Sequence, residues 1–181
     1  MTVHGYHDLR FESVREAFAE LLAAGQTRGA ALCVQVGGET VLDLWGGMAD
    51  KDGQTPWHTD TLLNLFSCTK AFTTVAALQL VEEGKLALDA PVAERWPELA
   101  AAGKADITLR QLLSHRSGVS ALRERLAGDA LYDWDTMTAA VAAEAPWWTP
   151  GTAHGYAPIT FGWLLGELIR RADGRSPGEA I

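Results

Sequence analysis

The sequence has few of the residues that build disulfide-rich or metal-binding proteins. It contains only two cysteines, Cys33 and Cys68, which provide neither a disulfide framework nor the spacing of a zinc site. Its five histidines are scattered without ligand spacing, at positions 4, 7, 58, 115 and 154. The sequence therefore predicts no metal site and no cofactor, and the free thiols favour a reducing compartment.

Positive charge and long apolar runs are also scarce. Fifteen Lys and Arg residues against 23 Asp and Glu residues give a net charge of -8, which disfavours nucleic acid and anionic membranes as partners. No segment approaches the roughly 18 uninterrupted apolar residues of a membrane span. The N-terminal "MTVHGYHDLRFESV" has no apolar run typical of a secretory signal. We expect a cytoplasmic protein without nucleic-acid or membrane partners.

The 181 residues, 48% of them hydrophobic, are enough to bury a core. Apolar periodicity and stop signals predict one β-hairpin and several helices. The hairpin is expected over residues 29–47 around the turn "GGE", and the helices over 10–25, 64–84, 107–118, 133–145 and 158–174. Thr108 should cap its helix, while Pro158 and Gly174 should mark the beginning and end of the last one.

Two strands alone form a marginal sheet, and no other segment clearly supplies a partner strand. The final "DGRSPGEAI" has the pattern of a turn followed by the first residues of a new helix. We therefore expect the chain to be part of a longer protein.

The stretch "NLFSCTKAFTT", residues 64–74, holds the first candidate for chemistry. Ser67 and Lys70 are three residues apart, so a helix brings both to one face, with Cβ atoms about 5–6 Å apart. A serine near a helix start with an amine within reach is an activated nucleophile. The pattern fixes only two positions, so on spacing alone a structural role is the commoner explanation. Cys68 points away at another helical angle and is expected to be packed.

Three further segments accompany this one in order: "LDLWGGMAD" before it, then "LLSHRSG" at 112–118 and "PGTAHGYAP" at 150–158. Together the four segments resemble the serine β-lactamase-like family. The similarity is greatest to its class C-like branch, which includes D-alanyl-D-alanine peptidases and the family VIII carboxylesterases. The resemblance covers the chain from about residue 12 to its end.

The resemblance implies an α/β (α+β) fold of the β-lactamase/transpeptidase type, with an antiparallel sheet flanked by helices and a mostly helical subdomain. Residues 1–84 and 159–181 would belong to the α/β domain, and residues 85–158 would form the helical subdomain. Family members are about twice as long as this chain. The C-terminal strands are therefore expected in a missing half.

The resemblance also implies residue roles. Ser67 matches the acylated nucleophile, and its backbone N–H would provide half of an oxyanion hole. Lys70 matches its amine partner, and Tyr156 matches the general base and acid. A phenol with a pKa near 10 is a poor base at neutral pH unless a cation stabilises the phenolate. Lys70 could be that cation.

The sequence departs from the family pattern in two places. The class C pattern Tyr-x-Asn is here Tyr156, Ala157 and Pro158, and proline lacks the amide that contacts the substrate's amide side chain in β-lactamases and peptidases. The family's third motif is not found: residues 45–47, Trp-Gly-Gly, have suitable letters but lie in the N-terminal hairpin, where we interpret them as structural. The proline at position 158 favours esters, whose better leaving groups make fewer demands on the site, and the third motif is expected in the missing half.

We therefore expect a carboxylesterase that cleaves small-molecule esters through an acyl-serine. A β-lactamase or D-alanyl-D-alanine peptidase, an acyltransferase, and a non-catalytic binding module remain open alternatives. Without its second half, the chain alone is expected to be weakly active or inactive and to associate with that half or with a second copy.

Four aromatic residues near the motifs carry weaker predictions. Trp147, Trp148 and His154 are candidates for the substrate pocket, with ordinary packing an equal alternative for the tryptophans. His115 is expected to bond to the backbone at a helix end.

Overall fold

The computed structural model describes residues 2–180. The chain forms two compact units, one ending at Asn64 and the other beginning at Leu65. The division predicted from the sequence, with 1–84 and 159–181 in one domain and 85–158 in another, concerns the complete fold and stays a prediction. Within the described residues, no helix has both the length and the hydropathy needed to cross a membrane.

The first unit is an antiparallel sheet with one helix against it. Its elements are listed in chain order: β1 (Val3–His7), a 3-10 turn (Leu9–Phe11), α1 (Glu12–Ala23), β2 (Gly29–Val36) and β3 (Glu39–Gly47). The strand order is β1-β3-β2. The predicted hairpin is confirmed, and both turn glycines have positive φ, 59° at Gly37 and 85° at Gly38. Phe18 and Leu22 of α1 pack on Leu42 and Leu44 of β3 to form the core.

The expectation of only two strands is wrong, because residues 3–7 pair with β3 as a third. This strand is short, and Gly5 interrupts its pattern. A Cβ at Gly5 would lie 1.9 Å from the carbonyl oxygen of Asp43, and the backbone there has a φ of +107°. The close approach to β3 thus requires glycine at position 5. Because glycine is unfavourable inside strands, the sequence pattern did not indicate a strand here.

The second unit is helical. Its α-helices are α2 (Thr69–Glu82), α3 (Leu109–Leu113), α4 (Trp134–Ala143), α5 (Thr160–Asp173) and α6 (Pro177–Ala180). Its 3-10 segments are Phe66–Cys68, Val92–Glu94, Pro97–Gly103 and Ala130–Tyr132. The helices predicted from periodicity are confirmed, including the short one at the end of the chain. Helix α5 is central, with most of its residues buried.

Helix α2 packs against α5 in a small apolar cluster. Ala76, Ala77 and Leu80 of α2 meet Ile169 of α5, and all four are buried. The alanines allow the helix backbones to approach closely. This contact places the N-terminal end of α2 beside the loop that leads into α5.

Helix boundaries near the motifs differ from the predictions in three places. Helix α2, predicted from residue 64, begins at Thr69 after the 3-10 segment Phe66–Cys68. Thr108 caps α3 in a capping box with Gln111, as predicted, but the helix ends at Leu113 because His115 has a left-handed φ of +57°. Helix α5 begins at Thr160, two residues after Pro158, and ends as predicted at Gly174 with a φ of +83°. The three differences lie at Ser67 itself, at His115, whose ring contacts that of Tyr156, and at Pro158, whose carbonyl oxygen accepts from Lys70.

Candidate active site

Ser67 lies in a strained turn at the N-terminal end of α2. It is the middle residue of the 3-10 segment Phe66–Cys68, so it precedes the α-helix instead of lying within it. Phe66 has a φ of +45°, a left-handed conformation that is costly for a residue with a Cβ and is common at functional sites. The hydroxyl of Thr69 donates to the Phe66 carbonyl oxygen at 2.7 Å and closes the turn. Ser67 is thereby presented on the surface of this unit.

Two polar groups converge on the Ser67 hydroxyl. Lys70 Nζ donates to Ser67 Oγ at 3.0 Å, and the Tyr156 hydroxyl donates to the same oxygen at 2.8 Å. Lys70 Nζ also donates to the Pro158 carbonyl oxygen at 2.9 Å, which ties α2 to the loop that carries Tyr156. The structure therefore brings together the three residues whose catalytic roles the family resemblance implies.

The surroundings of Tyr156 lower the pKa of its phenol. Its pKa is lowered first by the hydrogen bond with Ser67, then by hydrogen bonding and charge interaction with Lys70. Lys70 Nζ lies 5.1 Å from the centroid of the Tyr156 ring and 5.7 Å from that of Phe161, so two aromatic faces help to hold the ammonium in place. A phenolate next to a serine hydroxyl is a base at the correct position.

The loop carrying Tyr156 is held by His115. The backbone N–H of Ala157 donates to His115 Nδ1 at 3.2 Å, and that of Gly155 donates to the His115 carbonyl oxygen at 3.1 Å. The His115 ring centroid is 4.9 Å from that of Tyr156. The prediction that His115 bonds to backbone at a helix end is confirmed, and the segments "LLSHRSG" and "PGTAHGYAP" form one structure.

His115 is held in its neutral form. Burial lowers its pKa, and the nearby His154 and Lys70 lower it further. Because Nδ1 accepts a hydrogen bond from Ala157, the ring proton of neutral His115 must be on Nε2.

A cavity of about 400 Å³ opens beside Ser67 and Lys70. Most of its other lining residues follow Tyr156 in the sequence: Pro158, Ile159, Phe161, Gly162 and Trp163. Leu131, Phe66, Thr69 and Thr73 complete it. Sequence analysis missed Ile159, Phe161, Trp163 and Leu131 as candidates. The first three could have been suspected from their position directly after the tyrosine motif, but Leu131 carries no such signal.

The three residues predicted for the substrate pocket do not line this cavity. Trp147 Nε1 donates to the Ala121 carbonyl oxygen at 2.9 Å, and the Arg123 guanidinium lies 4.0 Å from the Trp147 ring. Trp148 lies against Gly155, and the His154 ring centroid is 6.0 Å from that of His115. Their contacts support the loops around Tyr156, and direct contact with substrate stays a prediction for all three.

Two further predictions concern ligands and thiols. Among residues 2–180, no group of three or more His, Cys, Asp or Glu side chains is placed to hold a metal ion. Cys33 and Cys68 are both free thiols. The expectation that Cys68 is packed is wrong: it is exposed in the turn that presents Ser67.

The fold is that of the serine β-lactamase-like class. The chain belongs to the Beta-lactamase family, whose family model matches residues 14–181.

The chain is similar to curated and structurally characterised members of this class. It is 38% identical over 173 residues to the esterase/beta-lactamase LipL of Mycobacterium tuberculosis, an alignment that covers 96% of this chain and 40% of LipL. It superposes on a crystal structure of a family VIII carboxylesterase with a TM-score of 0.91 and 43% identity, covering 99% of this chain and 49% of that one. A penicillin-binding protein homologue from Caulobacter crescentus matches with a TM-score of 0.94 and 44% identity, covering 99% and 48%. The chain thus spans about half the length of these relatives.

Proposed function

We propose that the protein containing this chain is a carboxylesterase that works through an acyl-serine intermediate. The observation that carries the proposal is the placement of Ser67 Oγ within 3.0 Å of Lys70 Nζ and 2.8 Å of the Tyr156 hydroxyl. The names of LipL and of the family VIII carboxylesterase support ester cleavage. The substrate would be a small-molecule ester.

In the acylation half-reaction, Ser67 Oγ attacks the ester carbonyl carbon while its proton passes to the Tyr156 phenolate. Lys70 stabilises the phenolate beforehand through its positive charge. The backbone N–H of Ser67 would stabilise the oxyanion of the tetrahedral intermediate. The bond from the carbonyl carbon to the alcohol oxygen then breaks, and Tyr156 returns the proton to that oxygen. The products are free alcohol and acyl-Ser67.

Deacylation repeats the sequence with water in place of the alcohol. Tyr156, again a phenolate, takes a proton from the attacking water, and a second tetrahedral intermediate forms. When the bond to Ser67 Oγ breaks, Tyr156 gives the proton to that oxygen. The carboxylic acid is released, and the site returns to its starting state.

Pro158 makes esters better candidates than β-lactams. It follows Tyr156 by two residues and offers a carbonyl oxygen to Lys70, but it has no side-chain amide to bind an amide substrate. An ester needs less help because its leaving group is better. β-Lactam hydrolysis is the second candidate, since the name of LipL includes it. Comparing the turnover of nitrocefin with that of p-nitrophenyl acetate would separate the two, and faster nitrocefin turnover would favour the lactamase.

The experiment that tests the proposal uses the full-length protein and a matched pair of serine variants. Ser67→Ala should abolish hydrolysis of p-nitrophenyl acetate and labelling by a fluorophosphonate. Ser114→Ala should retain both, because Ser114 Oγ donates only to the Arg110 carbonyl oxygen in α3. Wild-type turnover by Ser67→Ala would refute the mechanism. A folded wild-type protein that neither turns over esters nor labels would favour a non-catalytic binding module.

An acyltransferase is distinguished by its acceptor. If the acyl group passes to alcohols, added methanol should raise the release of p-nitrophenol and yield methyl ester instead of acid. If methanol leaves the rate of p-nitrophenol release unchanged and the carboxylic acid is the product found, the activity is hydrolysis.

We also propose that residues 1–181 alone are weakly active or inactive. Three apolar side chains of α2 are about half exposed, Phe72 at 53%, Val75 at 54% and Leu78 at 41%. A further segment of the same protein is the occupant we propose for this face, with a second copy as the alternative. Comparing esterase turnover of residues 1–181 with that of the full-length protein tests this, and equal turnover would refute it. A cytoplasmic location stays a prediction.

A further inference from the structure

A second cavity, of about 330 Å³, adjoins the one at Ser67. The two cavities share three lining residues, Leu131, Pro158 and Ile159. The side chains of Leu131 and Ile159 are about half exposed, at 51% and 54%, so they form a low apolar rim between the two spaces. Pro158, the third shared residue, is the one whose carbonyl oxygen accepts a hydrogen bond from Lys70.

The second cavity is mainly apolar, although two polar residues of the loop, Ser120 and the solvent-exposed Glu124, also line it. Its walls come from the loop 120–131, from the beginning of α5 and from Met137 of α4. The apolar side chains it presents are those of Leu122, Leu126, Ala127, Ala130, Leu131 and Met137. The one polar side chain that α5 adds, Thr160, already donates to the Val119 carbonyl oxygen at 2.6 Å. An uncharged hydrocarbon group suits such a space best.

The proposed chemistry determines which end of an ester would face this cavity. The alcohol oxygen must lie near Tyr156, because Tyr156 protonates it as it leaves. Tyr156 lines neither cavity. We therefore infer that the acyl group, which stays attached to Ser67, extends away from Tyr156 into the cavity that Pro158 and Ile159 line.

We propose that this second cavity binds the hydrocarbon chain of the acyl group, which passes over the rim of Leu131 and Ile159. The inference rests on the proposed acyl-serine chemistry and adds a substrate class to it: esters of medium-chain, uncharged carboxylic acids. Each methylene buried in the cavity should raise kcat/KM about fourfold, until the chain fills the space.

The test measures kcat/KM of the full-length protein for p-nitrophenyl acetate, butanoate, hexanoate and octanoate. Ala127→Phe places a large side chain at the cavity wall, whereas Ala105→Phe makes the same change at an exposed residue outside it. Ala127→Phe should lower the octanoate-to-acetate ratio by at least about tenfold, the effect of losing roughly two buried methylenes. Ala105→Phe should leave that ratio unchanged. Equal ratios in the two variants, or a wild-type rate independent of chain length, would overturn the inference while leaving the esterase proposal intact.

A binding measurement separates this inference from the esterase proposal. In Ser67→Ala protein with 13C-methyl methionine, octanoate should shift the Met137 methyl resonance and leave that of Met48, in the first unit, unchanged. Adding Ala127→Phe should remove the shift. If no ester is hydrolysed, the esterase proposal fails, but the Met137 resonance still decides whether the cavity takes an acyl chain. An unmoved Met137 resonance would overturn the inference.

The alcohol side provides the remaining alternative. If a series of acetates with longer alcohols gains kcat/KM, and Ala127→Phe removes that gain while the acyl series is unaffected, the cavity binds the alcohol and the inference is wrong.

Discussion

The backbone N–H of Ala157 donates to Nδ1 of His115 across 3.2 Å, although 42 residues separate the two in the sequence. This bond joins the end of α3 to the loop that carries Tyr156. It makes the position of the phenol depend on the protonation state of a histidine that contacts neither Ser67 nor Lys70 through a hydrogen bond. His115 is thus a positioning residue for the proposed reaction.

Protonation of His115 should weaken the site at acidic pH. Because its pKa is lowered, first by burial and then by His154 and Lys70, the native protein favours the neutral ring. The stability it contributes is present above the ordinary pKa near 6.5 and is lost as the pH falls through the lower native pKa. Protonated Nδ1 is a donor and repels the N–H of Ala157. We expect wild-type kcat to fall over that range.

Two variants test the role of His115. Asparagine can present Oδ1 where His115 presents Nδ1, tolerates the left-handed φ of +57° and does not titrate. His115→Asn should therefore keep most of the activity. Its kcat should no longer show the fall at acidic pH that protonation of His115 causes in the wild type. His115→Ala should lose about 1 kcal/mol of unfolding free energy or more, since the Ala157 N–H is left without its partner. Identical pH profiles in wild type and His115→Asn would contradict the role.

Lys70 should set the pH at which kcat rises as Tyr156 ionises. Removing the ammonium in Lys70→Ala takes away one of the interactions that lower the pKa of Tyr156, so that pKa should rise toward its ordinary value near 10. The rising limb of kcat against pH should move to higher pH, and kcat at neutral pH should fall by about 10²–10⁴. Lys70→Arg, which keeps the charge, should move the limb less. A limb that stays in place in Lys70→Ala would show that Tyr156 is not the base.

Gly155 should tolerate no side chain, for a steric reason. A Cβ there would lie 2.3 Å from an atom of the Trp148 ring, with two more ring atoms within 3.2 Å. Gly155→Ala should lower the free energy of unfolding by about 1–3 kcal/mol and lower kcat, because Tyr156 is the next residue. Gly162→Ala is the matched control: a Cβ there meets nothing within 4 Å, so thermal unfolding should show equal or slightly higher stability. Equal effects of the two substitutions would refute the steric argument.

Glu167 should make the second unit sensitive to acid. Its side chain is buried, which by itself would raise its pKa, but hydrogen bonds from Arg170, Arg171 and Trp134 lower that pKa to about 2. The carboxylate then contributes about 3 kcal/mol at neutral pH, which is lost as the pH falls from about 4.5 toward 2. Glu167→Gln should lower the melting temperature at neutral pH and reduce its drop at acidic pH.

The control for Glu167 is Glu98, an exposed partner of Arg171. Because exposed ion pairs are worth less than about 1 kcal/mol, Glu98→Gln should change the melting temperature little. If both variants lowered the melting temperature equally, burial of Glu167 would not explain its contribution to stability.

The features recovered from the sequence are those that depend on neighbouring residues. The "GGE" turn, the Thr108 cap, the Gly174 stop and the helical periodicities were all recognised from local patterns, since φ preferences and capping bonds act within a few residues. The pairing of Ser67 with Lys70 also follows from helix geometry. Tyr156 entered only through the resemblance of its segment to a family.

The features that were missed depend on contacts between distant segments. Residues 3–7 form a strand because they pair with β3, which approaches closely at Gly5. Helix α3 ends early because His115 bonds to the loop that carries Tyr156. The apolar rim beside Ser67 combines Leu131 with Ile159, two residues that share no local pattern.

The sequence by itself determined the helices, the hairpin and the reach of Lys70 to Ser67, because backbone preferences and i, i+3 spacing are local. Only the tertiary structure decided that Tyr156 would lie 2.8 Å from Ser67 Oγ, 89 residues away, and that a second apolar cavity would adjoin the first. Packing of α2 on α5 and the bond between His115 and Ala157 bring these groups together, and packing of this kind has no signature in any one segment.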